Sequence, residues 1–263
     1  MGKFDGWLIC SDFDGTIYVD KALSDENCRA VKYFQDNGGR FTFASGRFTN
    51  MFDSFRDRIE ANAPIAGLNG SVIADPSDGR ILYSGGVSRD GAAEFAFGCF
   101  DDYPSVRAVI FYTPDSLVKV TRDRIADGTA VPAEVCAGLP ETLSKIAVIA
   151  GAESSGDIFA DITARTAGKY SISRSWVCGI EINDPADTKG KAVRRIGGMV
   201  GAGHIVCVGD YENDLSMIEA ADIGYAVGNA VPALKAAAHR ITVDCHDHAI
   251  AAVIRELDAE LGV

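Results

Sequence analysis

Two aspartates, Asp12 and Asp14, stand at the end of the apolar run WLIC and are followed at once by Gly15 and Thr16. A chain that leaves a buried strand on two negative charges is either turning or building a site. Asp-Gly flanked by hydrophobic residues is a strong turn signal, so this stretch alone leaves both readings open. Three further polar clusters decide between them: Ser45 after RFTFA, Lys189 at a helix start, and Asp210 with Asn213 and Asp214 after HIVCVG. All fall at or near the carboxyl ends of expected strands, where open parallel α/β sheets bind ligands.

Carboxylates at neighbouring strand ends suit a hard divalent cation such as Mg²⁺, which takes a few oxygen ligands and keeps several waters. Asp12 and Asp210 are placed on the metal by their side chains and Asp14 by its backbone carbonyl, with Asn213 and Asp214 holding that shell in position. The same pair of carboxylates can divide the work of phosphoryl transfer. Asp12 is expected to attack phosphorus, and Asp14 to protonate the leaving alkoxide and then activate water. Ser45 can hydrogen-bond a phosphoryl oxygen, and Lys189 can neutralise charge beside the nucleophile.

These side chains need a scaffold, and the hydrophobic pattern supplies one. WLIC reads as a buried strand. Ser24 caps a helix that runs to about Asn37 and stops at the Gly38-Gly39 pair, and RFTFAS reads as the next strand. Strand, helix, strand implies a parallel crossover. Met51, Phe52, Phe55 and Ile59 fall at helical spacing and predict an amphipathic helix after Arg47. From about Val87 the pattern changes to mixed strands and helices, with Trp176, Cys178, Ile180 and Ile182 alternating as one strand. After NDPADTKG the strand-helix alternation returns, with a helix over Lys191 to Val200, the strand HIVCVG, the strand IGYAVG and a final helix over AIAAVIREL. The expected fold class is α/β: a discontinuous Rossmann-like parallel core at 1–86 and 184–263, with an inserted α+β domain at 87–183.

The net charge of −12 argues against nucleic acid, which needs an excess of Lys and Arg on at least one face. The chain has neither a membrane-length apolar run nor a secretory leader pattern, so a cytoplasmic location is expected. Seven scattered cysteines with no Cys-x-x-Cys pair read as reduced and structural. CHDH at 245–248 is read as the start of the last helix, with Asp247 as its cap, in preference to a transition-metal site.

DFDGT at 12–16, ASGR at 44–47, TKGKAV at 188–193 and GDYEND at 209–214 resemble, in order, the motifs of the haloacid dehalogenase superfamily of aspartyl-phosphate enzymes. The insertion after the second motif, LNG at 68–70 and VGNA at 227–230 are similar to the Cof-type phosphatases, whose α+β cap closes over the site. The resemblance implies a Mg²⁺-dependent phosphatase of small phosphorylated metabolites such as sugar phosphates or phosphorylated cofactors. A sugar phosphomutase on the same core and a non-catalytic metabolite-binding protein are the alternatives. Gly46 joins Ser45 and Lys189 around the phosphate. Arg47, Asn69 and Asn229 are candidate substrate contacts, though the two asparagines are equally well explained as turn residues beside glycine. No oligomeric state can be read from the chain.

Overall fold

The computed structural model describes residues 2–262. The chain divides into two compact units, one running up to Leu82 and resuming at Lys189, the other spanning Tyr83–Thr188.

The first unit is built on five parallel strands in the order Arg240–Ile241, Ile223–Ala226, His204–Gly209, Trp7–Ser11 and Arg40–Phe43. Trp7–Ser11 lies next to the centre because four of its five residues are buried and it pairs on both edges. Strands covered on both faces read as near-continuous apolar runs, and WLICS and HIVCVG do so. Helix Asp25–Asp36 begins where Ser24 accepts the backbone N–H of Asn27, then buries Val31 and Phe34. Helix Lys189–Val200 buries Ala192, Val193 and Ile196, and Ala249–Leu261 buries Ile250, Val253, Ile254 and Leu257. Helix Asp25–Asp36 and helix Ala249–Leu261 pack together, the buried Asn27 side chain accepting from the Ala251 backbone at 3.0 Å.

The segment after Arg47 differs from the amphipathic α-helix expected there. Thr49–Phe55 is a 3₁₀ helix. Its tighter turn aligns residues three apart, so Phe52 and Phe55 share the inner face and Met51 turns outward, 42 % exposed. Phe52 and Phe55 meet Phe13 with ring centroids 5.1 and 4.9 Å away, and Phe52 stacks on Phe43 at 4.8 Å. Phe13, at the centre of this aromatic cluster, is the residue between Asp12 and Asp14. At the other end of the unit, Asp247 does not cap the last helix. Asp244 accepts the His246 N–H of a short 3₁₀ turn, and the last helix starts from His248, whose φ is +62°. The reversal at His248 places Asp247 one residue too early to reach the helix's free N–H groups.

The second unit is a five-stranded antiparallel sheet in the order Leu117–Thr121, Ala108–Tyr112, Lys145–Ile149, Gly179–Asn183, Ser171–Trp176. Val109, Phe111, Ile146, Val148, Ile180 and Ile182 form one face and pack with Ala96, Phe97 and Phe100 of helix Arg89–Asp102 and with Ile158 and Ile162 of helix Ser155–Thr166. The alternation from Trp176 to Ile182 is not one strand. Trp176 ends one strand and Gly179 opens the next across a two-residue turn, with Trp176 and Gly179 paired in register. A Cβ at Gly179 would lie 2.3 Å from the indole, so glycine is needed where the ring covers the backbone. On the sheet's other face the ammonium of buried Lys145 donates to buried Glu181 at 2.6 Å and sits 4.6 Å from the centre of the Tyr112 ring.

The two tryptophans, Trp7 and Trp176, fall in different units and make separate reporters. Phe43→Ala, made in a Trp176→Phe background, should lower unfolding free energy of the first unit by roughly 3–5 kcal/mol. The denaturant midpoint followed by Trp7 fluorescence checks this; an unchanged midpoint would show that the aromatic cluster is not part of the cooperative core.

Candidate active site

Asp12 follows directly on Trp7–Ser11, its backbone N–H bonded to the Val208 carbonyl at 2.8 Å, which fixes it at the sheet's carboxyl edge. Its side chain is almost wholly buried, and Oδ1 accepts from the Lys189 ammonium at 2.6 Å. The same ammonium donates to Asp214 Oδ1 at 2.6 Å. Lys189 is buried, whereas its neighbour Lys191 is exposed, which separates the two lysines of TKGKAV.

Asp214 uses its second oxygen to accept the backbone N–H groups of Asp210 and Tyr211, at 2.9 and 3.1 Å. Both its oxygens therefore carry protein donors, and its work is to shape the loop that presents Asp210. Donor atoms of Asp12, Asp210 and Asp214 lie within 4.8 Å of one another. Two glycines permit this crowding. A Cβ at Gly15, where φ is +75°, would lie 2.5 Å from Asp210 Oδ2, and one at Gly209 would lie 2.5 Å from Asp214 Oδ2.

Charge does not balance here. Three carboxylates face one ammonium, and the imbalance is visible in their acidities. Burial, opposed in part by Lys189, pushes the Asp12 carboxyl well above the usual carboxylate range, with the charges of Asp214 and Asp210 adding to the rise. Burial, followed by the charge of Asp214, pushes Asp210 up to about 7. Although its own burial opposes the charge, Lys189 is held more firmly protonated than a free lysine by Asp12 and Asp214. Such a cluster of oxygens with surplus negative charge fits a hard divalent cation, which would restore both carboxylates to their charged forms.

Asp14 points elsewhere. Its carboxylate is held by the Arg47 guanidinium through two bonds, Nε to Oδ2 at 2.7 Å and Nη2 to Oδ1 at 2.6 Å. Arg47 in turn lies over the rings of Phe13 and Tyr18, 4.9 and 5.3 Å from their centres. A fork-to-fork pair stacked on aromatic faces fixes orientation as well as charge. Arg47, a candidate for touching substrate, holds the Asp14 carboxylate with both its Nε and Nη2 donors.

Ser45 is buried, and its Oγ accepts the Arg47 N–H at 3.2 Å, leaving the hydroxyl proton to be donated. Its carbonyl accepts the Asn69 N–H at 2.9 Å. Gly46 lies in the short bend between Ser45 and Arg47. Asn69, left-handed at φ +62°, accepts from the Asn213 amide at 3.2 Å, which links the Ser45 loop to the Asp210 loop. Asn229 donates to the Gly15 carbonyl at 2.9 Å and accepts the Cys245 N–H at 3.0 Å. Both asparagines therefore brace loops, as turn residues beside glycine do. Thr16, whose role the sequence does not state, donates to Asp210 Oδ1 at 3.3 Å; its position beside the Asp12–Gly15 turn was the available signal. Ser216, which receives the Gly190 N–H at 3.1 Å, had none.

Among the described residues no helix is long and apolar enough to cross a membrane. Residues 9–254 match the haloacid dehalogenase-like hydrolase family. A phosphoglycolate phosphatase of Methanothermobacter thermautotrophicus is 27 % identical, covering 94 % of this chain and 96 % of that protein. The Bacillus subtilis 5-amino-6-(5-phospho-D-ribitylamino)uracil phosphatase YitU is 23 % identical over 95 % and 97 %. Among solved structures, the HAD subclass IIB sugar phosphatase BT4131 superposes with a TM-score of 0.78 at 18 % identity, covering 95 % of this chain and 98 % of that one.

In cation-free protein the folded chain keeps the Asp210 proton that the unfolded chain releases from its ordinary 3.8, up to about 7. Stability should therefore fall as pH rises through that window, because the folded state binds more protons there. Unfolding in EDTA at a series of pH values checks this, and Asp210→Asn should flatten the slope. With residues 9–254 matching the family and its carboxylates gathered around Lys189 at the sheet's carboxyl edge, the chain belongs to the haloacid dehalogenase-like hydrolases.

Proposed function

We propose that this hydrolase is a Mg²⁺-dependent phosphatase of small phosphorylated metabolites, sugar phosphates or phosphorylated cofactors and their precursors, working through a phosphoryl group carried on Asp12. The observation that carries the reading is the surplus of carboxylates over Lys189 at the ends of neighbouring strands. The named activities of the relatives support it: one acts on a ribityl phosphate, another on sugar phosphates, and a third on phosphoglycolate.

Asp12 and Asp210 would hold the cation with their side chains and Asp14 with its carbonyl. Magnesium, when bound, supplies a Lewis acid that spreads charge from the phosphoryl oxygens. Asp12 attacks phosphorus, forming an Asp12–O–P bond as the bond to the leaving oxygen breaks. Lys189, Ser45 and Gly46 face the phosphoryl group, the ammonium and hydroxyl as donors that need not reorient during reaction. Asp14, protonated once one of its two bonds to Arg47 opens, gives that proton to the leaving alkoxide, then takes one from the water that attacks phosphorus and releases Asp12 and free phosphate. Arg47 keeps one bond to Asp14 while it is protonated and both while it is a carboxylate, so its aim is held. Recognition of the organic half of the substrate is assigned to the Tyr83–Thr188 unit, and a cytoplasmic setting goes with the same reading.

Phosphate release from a panel of sugar, nucleotide and cofactor phosphates should require Mg²⁺ and vanish in EDTA. Asp12→Asn should lower it by at least ~10³-fold while the unfolding curve stays close to wild type. Conversion of a sugar phosphate into its isomer, without free phosphate, would assign the chain to the mutases instead. In single turnover, where transfer to Asp12 is read before the water step, Asp14→Asn should slow alkyl phosphates far more than aryl phosphates, whose leaving groups need no proton. Equal losses on both would remove Asp14 from the acid role.

A further inference from the structure

A second group of donor atoms lies in the same unit, outside the carboxylate cluster. Asp244, Cys245 and His246 follow the Arg240–Ile241 strand and turn over one another in the short 3₁₀ element Cys245–Asp247. Asp244 Oδ1 is the hub. It lies 2.8 Å from His246 Nδ1 and 3.6 Å from Cys245 Sγ, and Sγ lies 3.5 Å from Nδ1.

That triangle can be compared with what a tetrahedral ion needs. Bonds of about 2.3 Å to sulfur and about 2.0–2.2 Å to nitrogen and oxygen place sulfur ~3.5 Å from each lighter donor, and nitrogen ~3.3 Å from oxygen. The two sulfur distances already agree, and only the nitrogen–oxygen pair must open, by ~0.5 Å. The far side of the ring is also provided for. Asp20, in the turn between the strands Tyr18–Val19 and Ala22–Leu23, places Oδ2 3.5 Å from His246 Nε2. That is an ion-pair distance, and a closer approach of ~0.5 Å would seat the carboxylate on the second ring nitrogen, where it fixes the tautomer and raises the basicity of a metal-bound histidine. Asp210 and Asp247 add negative charge within reach of the thiol and the ring, respectively.

We propose that Asp244, Cys245 and His246 form a binding site for a borderline-soft divalent cation of the zinc class, with Asp20 orienting the imidazole from its far side. The donor set of one thiolate, one imidazole and one carboxylate is distinct in softness from the all-oxygen cluster around Asp12, which favours Mg²⁺. Binding breaks the Cys245 S–H bond. The sulfur electron pair goes to the cation and the thiol proton to solvent, while His246 gives up the Nδ1 proton it shares with Asp244, keeps N–H at Nε2 toward Asp20, and turns the freed Nδ1 lone pair to the cation. Three protein donors leave a fourth position for water, and the exposure of His246 gives the ion a way in.

The test uses the full chain with Mg²⁺ in excess and Co²⁺ alone as the probe. One equivalent of Co²⁺ should produce a thiolate-to-cobalt charge-transfer band that Zn²⁺ abolishes. The band should disappear in Cys245→Ser, persist in Cys28→Ser, and need at least ~10-fold more Co²⁺ in His246→Gln. No band, a band that survives Cys245→Ser, or an unchanged titration in His246→Gln would each overturn the site. Because Cys245 is buried and its replacement can disturb the fold, the exposed His246→Gln variant, matched to wild type by its unfolding curve, decides in that case.

Discussion

One ammonium group organises the first unit. Lys189 is fully buried and bonds two carboxylates, one from the end of the Trp7–Ser11 strand and one from the loop after His204–Gly209. Removing a charge from water costs several kcal/mol unless its partners are close and well aligned. The cost is offset because Asp12 and Asp214 approach from two adjacent parallel strands whose register, Cys10 beside Cys207 and Ser11 beside Val208, brings their ends level. Without the lysine, two buried carboxylates would face each other. Without either carboxylate, the lysine would be buried with one partner, so the three groups hold one another in place.

From that pivot the remaining contacts extend as a chain of constraints. Asp214 shapes the Asp210 loop, Asn213 joins it to Asn69, Asn69 is tied to the Ser45 carbonyl, and the Ser45 hydroxyl accepts from Arg47, which grips Asp14. Each link is an ordinary hydrogen bond with a modest net contribution. Their value lies in position, since every polar side chain near Asp12 has its orientation set by a neighbour.

Much of this was legible in the sequence, for physical reasons that differ by element. The central strands announced themselves as unbroken apolar runs, and Ser24 marked its helix by chemistry as well as position. The candidate site residues stood out because carboxylates, serine and lysine each lie at a strand end or helix start, and the structure brings Asp12, Lys189, Asp210 and Asp214 together. What escaped was decided by packing. Phe52 and Phe55 satisfy both a 3.6-residue and a three-residue period, and only contact with Phe13 selects the tighter helix. The Trp176–Ile182 alternation hid a turn because Val177 and Cys178 carry no turn chemistry; the indole resting on Gly179 defines the reversal. Arg47 reads from sequence as a candidate substrate contact; that it lies over Phe13 and Tyr18 and holds Asp14 is set by packing.

The Lys189–Asp12 bond also sets an order of events during synthesis. Its partners are 177 residues apart, so at about 5–20 residues per second the lysine is made roughly 9–35 s after the aspartate. Until then the Trp7–Ser11 strand has one edge with no partner, because its neighbour His204–Gly209 is encoded still later. A nascent chain at that stage holds the nucleophile candidate without its counter-charge and a strand without half its sheet. Release of an unfinished chain therefore yields an edge-exposed fragment suited to chaperone capture or proteolysis, and the carboxylate cluster comes together only when the C-terminal strands arrive.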